Sequence, residues 1–440
     1  MNAKICILMG VTALILGACE KREEILAGER IAVRADADGA ILASAATDVA
    51  EGSVPLTLPA AQRLAAWPMR VGTASNDPAH ATLAAAPARI WTANIGSGDT
   101  RRQRITADPV SDGTQLYTLD AQSTVTAVSL SGQVVWSRSL VPPAEKANEA
   151  SGGGLAVVGG ALYVTTGFGE LHVLDPASGA ERWVQRLDAP ITTPKVEGGL
   201  VYLVSRDNRA WAIEADTGRI RWDIPAAQAQ AATATAPSPA ISGRLAIFPY
   251  ASGEIVATLK ASGIRVWGSS VSGRRRGVAS GFVGDITGDP VVADGIVYAG
   301  TSSGRLVALE QSSGTRVWTA DEGAVSPLVV SGGSLFAVSD RAQLLRIDAA
   351  TGDPIWRTDL PYYRNQRLSR RQGIYAHFGP VLAGGKLWVA SSDGALRGFD
   401  PVDGTQITQI DIPGGAASRP IVFGDALYVV GRGGDLHAYR

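Results

Sequence analysis

The chain has 440 residues, of which 45% are hydrophobic, 18% are charged and 51 are glycine, and its formal net charge is −1. A balance so close to neutral excludes the field that binding to nucleic acid or to an acidic membrane surface requires. Abundant glycine with few charges suits short strands joined by tight turns, and all-β rings of this length form one domain.

In chain order, the first element is a targeting segment. Lys4 precedes an apolar run from Ile5 to Leu16. That run is shorter than the roughly 20 residues a spanning helix needs, so residues 1–18 read as a secretory signal peptide. Leu16-Gly17-Ala18-Cys19 resembles the bacterial lipobox, after which the cysteine becomes the lipidated first residue. The chain's other cysteine, Cys6, lies inside the signal, so no disulfide framework is available and Cys19 is best explained by acylation. Glu20 follows it, where an aspartate would favour retention in the inner membrane; the expectation is a lipid anchor in the outer membrane. Residues 19–87, rich in Ala, Pro, Gly and Thr, read as a largely extended tether. Within it, Trp67 and the stretch 71–80 are expected to pack on the domain that begins at residue 88.

From residue 88 the sequence repeats itself. "GELHVLDPASGAERW" (169–183), "NRAWAIEADTGRIRW" (208–222), "GEIVATLKASGIRVW" (253–267), "GRLVALEQSSGTRVW" (304–318) and "AQLLRIDAATGDPIW" (342–356) share one design. An apolar strand leads to a polar turn with glycine, and a short second strand closes on tryptophan. Lead-ins such as "GGALYVTTG" (159–167) add two further strands. Trp91, Trp136, Trp183, Trp222, Trp267, Trp318 and Trp356 mark the copies, 38 to 51 positions apart, and Thr408 stands at the tryptophan place of another. Four strands at that period define a β-propeller blade. Seven copies are complete, and the eighth (419–440) lacks a fourth strand that "ARIWTANIG" (88–96) can supply. The fold predicted for 88–440 is therefore an all-β, eight-bladed propeller of four-stranded antiparallel blades, its last blade closed by the N-terminal strand so that no raw sheet edge remains. The tryptophans, in the outermost strands, are expected to lie on the glycine turns of neighbouring blades, each burying about 150–250 Å².

Catalytic chemistry finds little support. His80, His172, His377 and His437 are dispersed, and no histidine or cysteine pair has metal-ligand spacing. No nucleophile motif stands beside a histidine, and no glycine loop opens a helix to cradle phosphate. Asp175, Glu214, Glu310, Asp348 and Asp400 recur with the repeat and read as turn caps. No catalytic residue, metal or cofactor is expected.

Three links between blades are long: 137–153, 268–288 and 357–379. Each runs from an outermost strand to the next innermost one, so all three emerge on one face of the disc. Arg274, Arg275 and Arg276 lie in the second, and Arg364, Arg367, Arg370 and Arg371 in the third, with Tyr362, Tyr363, Tyr375 and Phe378 among them. Arginine interleaved with aromatics is the composition of a protein interface.

The lipobox, the tryptophan-ended repeats and turns such as Ala212 to Trp222 resemble the BamB family of outer-membrane lipoproteins, which serve the β-barrel assembly machine. The likeness covers 67–440. It implies a non-catalytic scaffold that binds the periplasmic domains of BamA, sits with other subunits of the complex, and assists unfolded barrel proteins toward insertion. It also implies a contact at "GDITGDPVV" (284–292), where the family carries Asp-x-Asp; Asp285 matches the first aspartate and Thr287 replaces the second. The family's other contact loop, with Leu and Arg, falls near 226–237, which has neither. Similar repeats occur in quinoprotein dehydrogenases, and the alternative is a periplasmic quinone-dependent enzyme. That reading needs inward-facing Asp, Glu and Asn ligands for Ca²⁺, and the repeats show no such cluster.

Overall fold

Residues 291–320 show how one repeat becomes one blade. Val291–Ala293, Ile296–Thr301, Arg305–Glu310 and Arg316–Ala320 pair antiparallel in that order. The third strand is apolar on both faces and buried along Leu306–Leu309, because neighbouring blades cover both its sides. The fourth strand alternates exposed and buried residues, as an outermost strand must. Asp294 and Gly295, at φ 49° and 77°, make the tight turn between the first two strands.

The computed structural model describes residues 54–227, 237–271, 273 and 284–440. They form eight such four-stranded sheets, an eight-bladed propeller. In chain order the blades cover 110–139, 153–186, 195–225, 240–270, 291–320, 329–359, 377–411 and 421–439. Arg89–Asn94 completes the eighth by pairing with Asp435–Tyr439, Trp91 opposite Ala438.

The tryptophans join blade to blade. A Cβ on Gly132, Gly179, Gly218, Gly263, Gly314, Gly352 or Gly404 would come within 2.6–2.8 Å of Trp91, Trp136, Trp183, Trp222, Trp267, Trp318 or Trp356 respectively, each ring belonging to the preceding blade. The glycines are needed twice over, for ring contact and for their positive φ. Six of the indoles also donate to a carbonyl of the next blade, at 2.8–3.3 Å. In blade 7 the large ring has moved. Tyr202, Ala212 and Trp222 stand side by side across blade 3, whereas the matching residues of blade 7 are Trp388, Gly398 and Thr408. Trp388 is fully buried and donates to the Ala383 carbonyl at 3.0 Å, so the space is filled from the second strand.

Residues 54–87 depart from the expected tether. They form a strap across the inner ends of all eight blades. Leu56 and Leu58 pack on blade 6, Leu64 accepts from Gly424 of blade 8, and Trp67 pairs with Ser111 of blade 1. The Pro68 carbonyl then accepts from Val157, that of Ala74 from Ile241, and that of Ser75 from Val292, in blades 2, 4 and 5. Lys195 of blade 3 bonds Arg70 and Thr73, and Ala81 returns to bridge Ala383 of blade 7. The physical reason is the unpaired inner edge of each blade: eight short strands present backbone groups toward the axis, and an irregular segment can satisfy them one at a time.

Candidate functional site

Each blade puts its first-to-second and third-to-fourth turns on one face, and its second-to-third turn and outgoing link on the other. The three long links therefore leave their blades on the same face. Arg364 bonds the Ile374 carbonyl through Nε at 3.0 Å and is exposed. Tyr362 and Tyr363 meet edge-to-face with centroids 4.6 Å apart, and Tyr363 bridges Ile374. Residues 365–372 belong to a separate unit from the rest of that link. There Arg367, Arg370 and Arg371 are exposed around a 3₁₀ turn, Leu368–Arg370, and Arg371 donates to the Gln366 carbonyl. Arg274, Arg275, Arg276 and Cys19 lie outside the described residues.

Asp285 and Thr287 are buried in their link. Both were expected at a partner contact, but they are 4% and 2% exposed. Thr287 donates to the Ala324 carbonyl at 2.7 Å, tying the link to the next one. Asp285 acts inward: burial lowers the Arg206 pKa and the Asp285 charge partly offsets it. A link that dives toward the axis before its inner strand buries its polar residues in holding itself there.

The histidines hold structure. His80 pins the strap, with Nδ1 at 2.8 Å from the Pro59 carbonyl and Nε2 accepting from Gly385 at 2.9 Å. His172 sits between Glu181 and Glu170, at 2.9 and 3.2 Å. Burial lowers the pKa of His377, which lies between Ser391 and the Pro361 carbonyl, and that of His437. The turn acids cap turns: Asp175 accepts from Ala177 and Ser178, and Asp348 from Ala350 and Thr351.

The densest charge lies on the axis, where sequence reading placed nothing. Arg70, from the strap, donates through Nε to both oxygens of Asp289 at 2.9 and 3.0 Å, and its Nη1 is 3.5 Å from Asp108. Asp289 also accepts the Ser238 amide and hydroxyl, each at 2.6 Å. Burial raises the Asp289 pKa, but Arg70 and Ser238 outweigh it and the net is below the usual carboxylate range. Lys195, wholly buried, is pulled down to about 7 by desolvation, with Asp289 opposing and Arg70 and Arg419 adding to the fall. Arg419 is brought down to about 10 by burial. A signal for this ring exists in the sequence. Asp108, Thr193, Ser238, Asp289, Ser326, Gly379 and Arg419 each precede a proline at the start of an inner strand. Proline fits there because an inner strand has a free edge, and it holds the residue before it extended.

A divalent cation with a quinone does not fit these residues. Asp289 is satisfied by Arg70 and Ser238; Asp108 takes the Arg419 amide on Oδ1 at 2.9 Å, and its Oδ2, without a hydrogen-bond partner, lies 3.5 Å from the Arg70 guanidinium, so the cation beside both carboxylates is already Arg70.

Eight blades, seven of their junctions interlocked by tryptophan on glycine, define the PQQ-like-repeat class of propellers. Residues 121–358 match the family described as outer membrane protein assembly factor BamB, and the chain belongs to that family. It is similar to the BamB proteins of Yersinia pestis, at 25% identity over 367 residues (80% of this chain and 88% of the relative), and of Escherichia coli K12, at 25% over 368 residues with the same coverage. Among solved structures, the BamB of Moraxella catarrhalis superposes with a TM-score of 0.66 at 18% identity, covering 80% of this chain and 99% of the other. A europium-containing methanol dehydrogenase gives 0.65 at 14%, covering 83% and 89%. At such identities both show the fold alone.

Proposed function

We propose that the chain is a non-catalytic scaffold of outer-membrane β-barrel protein assembly, held by a lipid on Cys19 at the periplasmic face of the outer membrane. It docks the periplasmic domains of BamA through the face that carries the long links. The observation that carries this reading is the family match over 121–358. The exposed Arg364 with Tyr362 and Tyr363, and the exposed Arg367, Arg370 and Arg371 further along the same link, support the choice of surface, since arginine pairs bidentately with carboxylates and aromatics anchor interfaces. Arg274, Arg275 and Arg276 belong to the same proposed surface by their place in the second long link. Asp285 and Thr287, being buried, act by shaping that link.

The test is co-purification from detergent-solubilised outer membranes. Reversing Arg364, Arg367, Arg370 and Arg371 to Glu is expected to weaken BamA capture with melting unchanged. Reversing Arg219 and Arg316, at the hairpin turns of the opposite face, is expected to leave capture intact. The opposite pattern would assign docking to the other face. Cys19→Ala is expected to release the protein from the membrane; recovery there at normal yield would refute the anchor.

A further inference from the structure

The face of the long links opens at its centre into a cavity of about 390 Å³. Its floor is Arg70 on the strap, and its walls are mixed. Ile105, Val325, Phe378 and Ala417 supply an apolar side, and Arg104, Arg364, Arg419 and Arg432 a cationic one. Two aspartates also line it, each in an ion pair, and Asp108 Oδ2 is buried with no hydrogen-bond partner. Asp99 lies 3.1 Å from Arg104 and 3.5 Å from Arg432, and Asp108 lies 3.5 Å from Arg70. Arg419 makes no ion-pair contact of its own, although the Asp108 and Asp289 charges act on it. It is 3% exposed, its Nη2 donates to the Pro380 carbonyl at 2.9 Å, and its Nε is buried with no hydrogen-bond partner. Among the described residues no carboxylate makes an ion pair with it. A buried guanidinium without a contacting anion is costly, and that cost falls if a ligand supplies the charge.

We infer that this cavity binds a small organic carboxylate with an apolar body, its carboxylate on Arg419 and its body against Ile105, Val325 and Phe378. The volume lies in the range of small-molecule sites, about 300–1,000 Å³. Planar guanidinium chemistry favours a carboxylate held by two parallel hydrogen bonds. The apolar wall selects against a bare inorganic ion, which would leave Ile105 and Phe378 facing water. This inference is independent of the docking reading and stands or falls on the cavity alone.

Titration calorimetry on the full chain in detergent tests it, with 3-phenylpropanoate as the probe and 3-phenylpropanamide and inorganic sulfate as comparators. Saturable one-to-one binding of the carboxylate is expected, with the amide and sulfate each at least tenfold weaker. Arg419→Gln is expected to weaken carboxylate binding at least tenfold. Because that change touches a buried charge, Ala417→Leu provides a second arm: it shrinks the cavity with Arg419 intact and is expected to abolish binding while melting stays near that of the parent. Sulfate binding as tightly as the carboxylate would mean an adventitious ion only. Amide binding as tightly would mean apolar adsorption. Absence of carboxylate binding, or binding unaffected by either variant, would overturn the site.

Discussion

Arg70→Met is the most direct probe of how the strap is held. The substitution keeps the aliphatic volume and removes a cation that faces Asp289 at 2.9 Å and Asp108 at 3.5 Å. Asp289 keeps its two bonds from Ser238, but its side chain has no exposure and the attraction that outweighed burial is gone. Stranding one partner of a buried pair costs about 3–5 kcal/mol. With unfolding entropy near 2.1 cal/mol/K per residue over the roughly 370 described residues, that corresponds to a fall in melting temperature of about 4–6 °C. The control is Arg63→Met. Arg63 pairs with Asp425 at 2.6 Å with side chains 66% and 39% exposed, where solvent screens the attraction and its loss should change stability little. The pH dependence discriminates further. In the parent, the depressed Asp289 pKa contributes stability above the unfolded value of about 3.9 that is lost as pH falls through the folded one. In the variant, burial unopposed by Arg70 raises that pKa, so the deficit relative to the parent grows as pH rises from about 3 toward 7. Urea unfolding across that range, followed by tryptophan fluorescence, measures it. A deficit no larger than that of the Arg63 control, or one constant with pH, would refute the reasoning.

Lys195→Met tests the other buried cation. Its folded pKa near 7 lies below the unfolded value of about 10.4, so the unfolded state binds more protons between them and the parent gains stability as pH rises through that window; the variant is expected to lose that rise in denaturation curves at pH 7 and 9. Trp318→Ala is expected to cost about 3–5 kcal/mol in chemical unfolding. Gly352→Ala, whose Cβ would meet the same ring at 2.6 Å with φ at 82°, should also destabilise, and the pair should be less than additive. Arg346, 1% exposed, donates to the carbonyls of Val54 at 2.8 Å and Pro55 at 3.1 Å; Arg346→Met is expected to speed limited proteolysis around 54–58, with the blades beyond remaining resistant.

The blades were legible because each repeat carries the same short pattern, although its ring contacts are made with the next blade. Tryptophan, glycine turn and alternation fall within about fifteen residues, and the register follows from them. Even the exception at Thr408 could be read as a missing ring, though its replacement by Trp388 could not, since that partner lies across two strand pairings. The strap was opaque for the opposite reason. Its composition is that of a linker, its pairings are single bridges without a period, and Arg70 finds Asp289 across 219 positions. The axial ring was written in the sequence as seven residues preceding proline, but residues before proline mark strand entry in general, and only the closed ring makes them converge. The burial of Asp285 and Thr287 was not legible, because a motif carried over from resemblance says nothing about burial in a particular link.

The strap also constrains the order of events in assembly. It lies near the N-terminus, yet Arg70 pairs with Asp289, Thr82 with Asp425 at 2.5 Å, and Arg63 with the same Asp425. An emerging chain therefore carries a segment whose native partners do not exist until most or all of the remaining residues have emerged. Leu64 and Trp67 touch blades 8 and 1, the two that meet where the ring is sealed by Arg89–Asn94. Docking the strap and sealing the ring thus draw on the same late residues, at the largest sequence separations in the molecule. Each requires closing a loop of several hundred residues before any contact repays it, which places both steps at the slow end of folding.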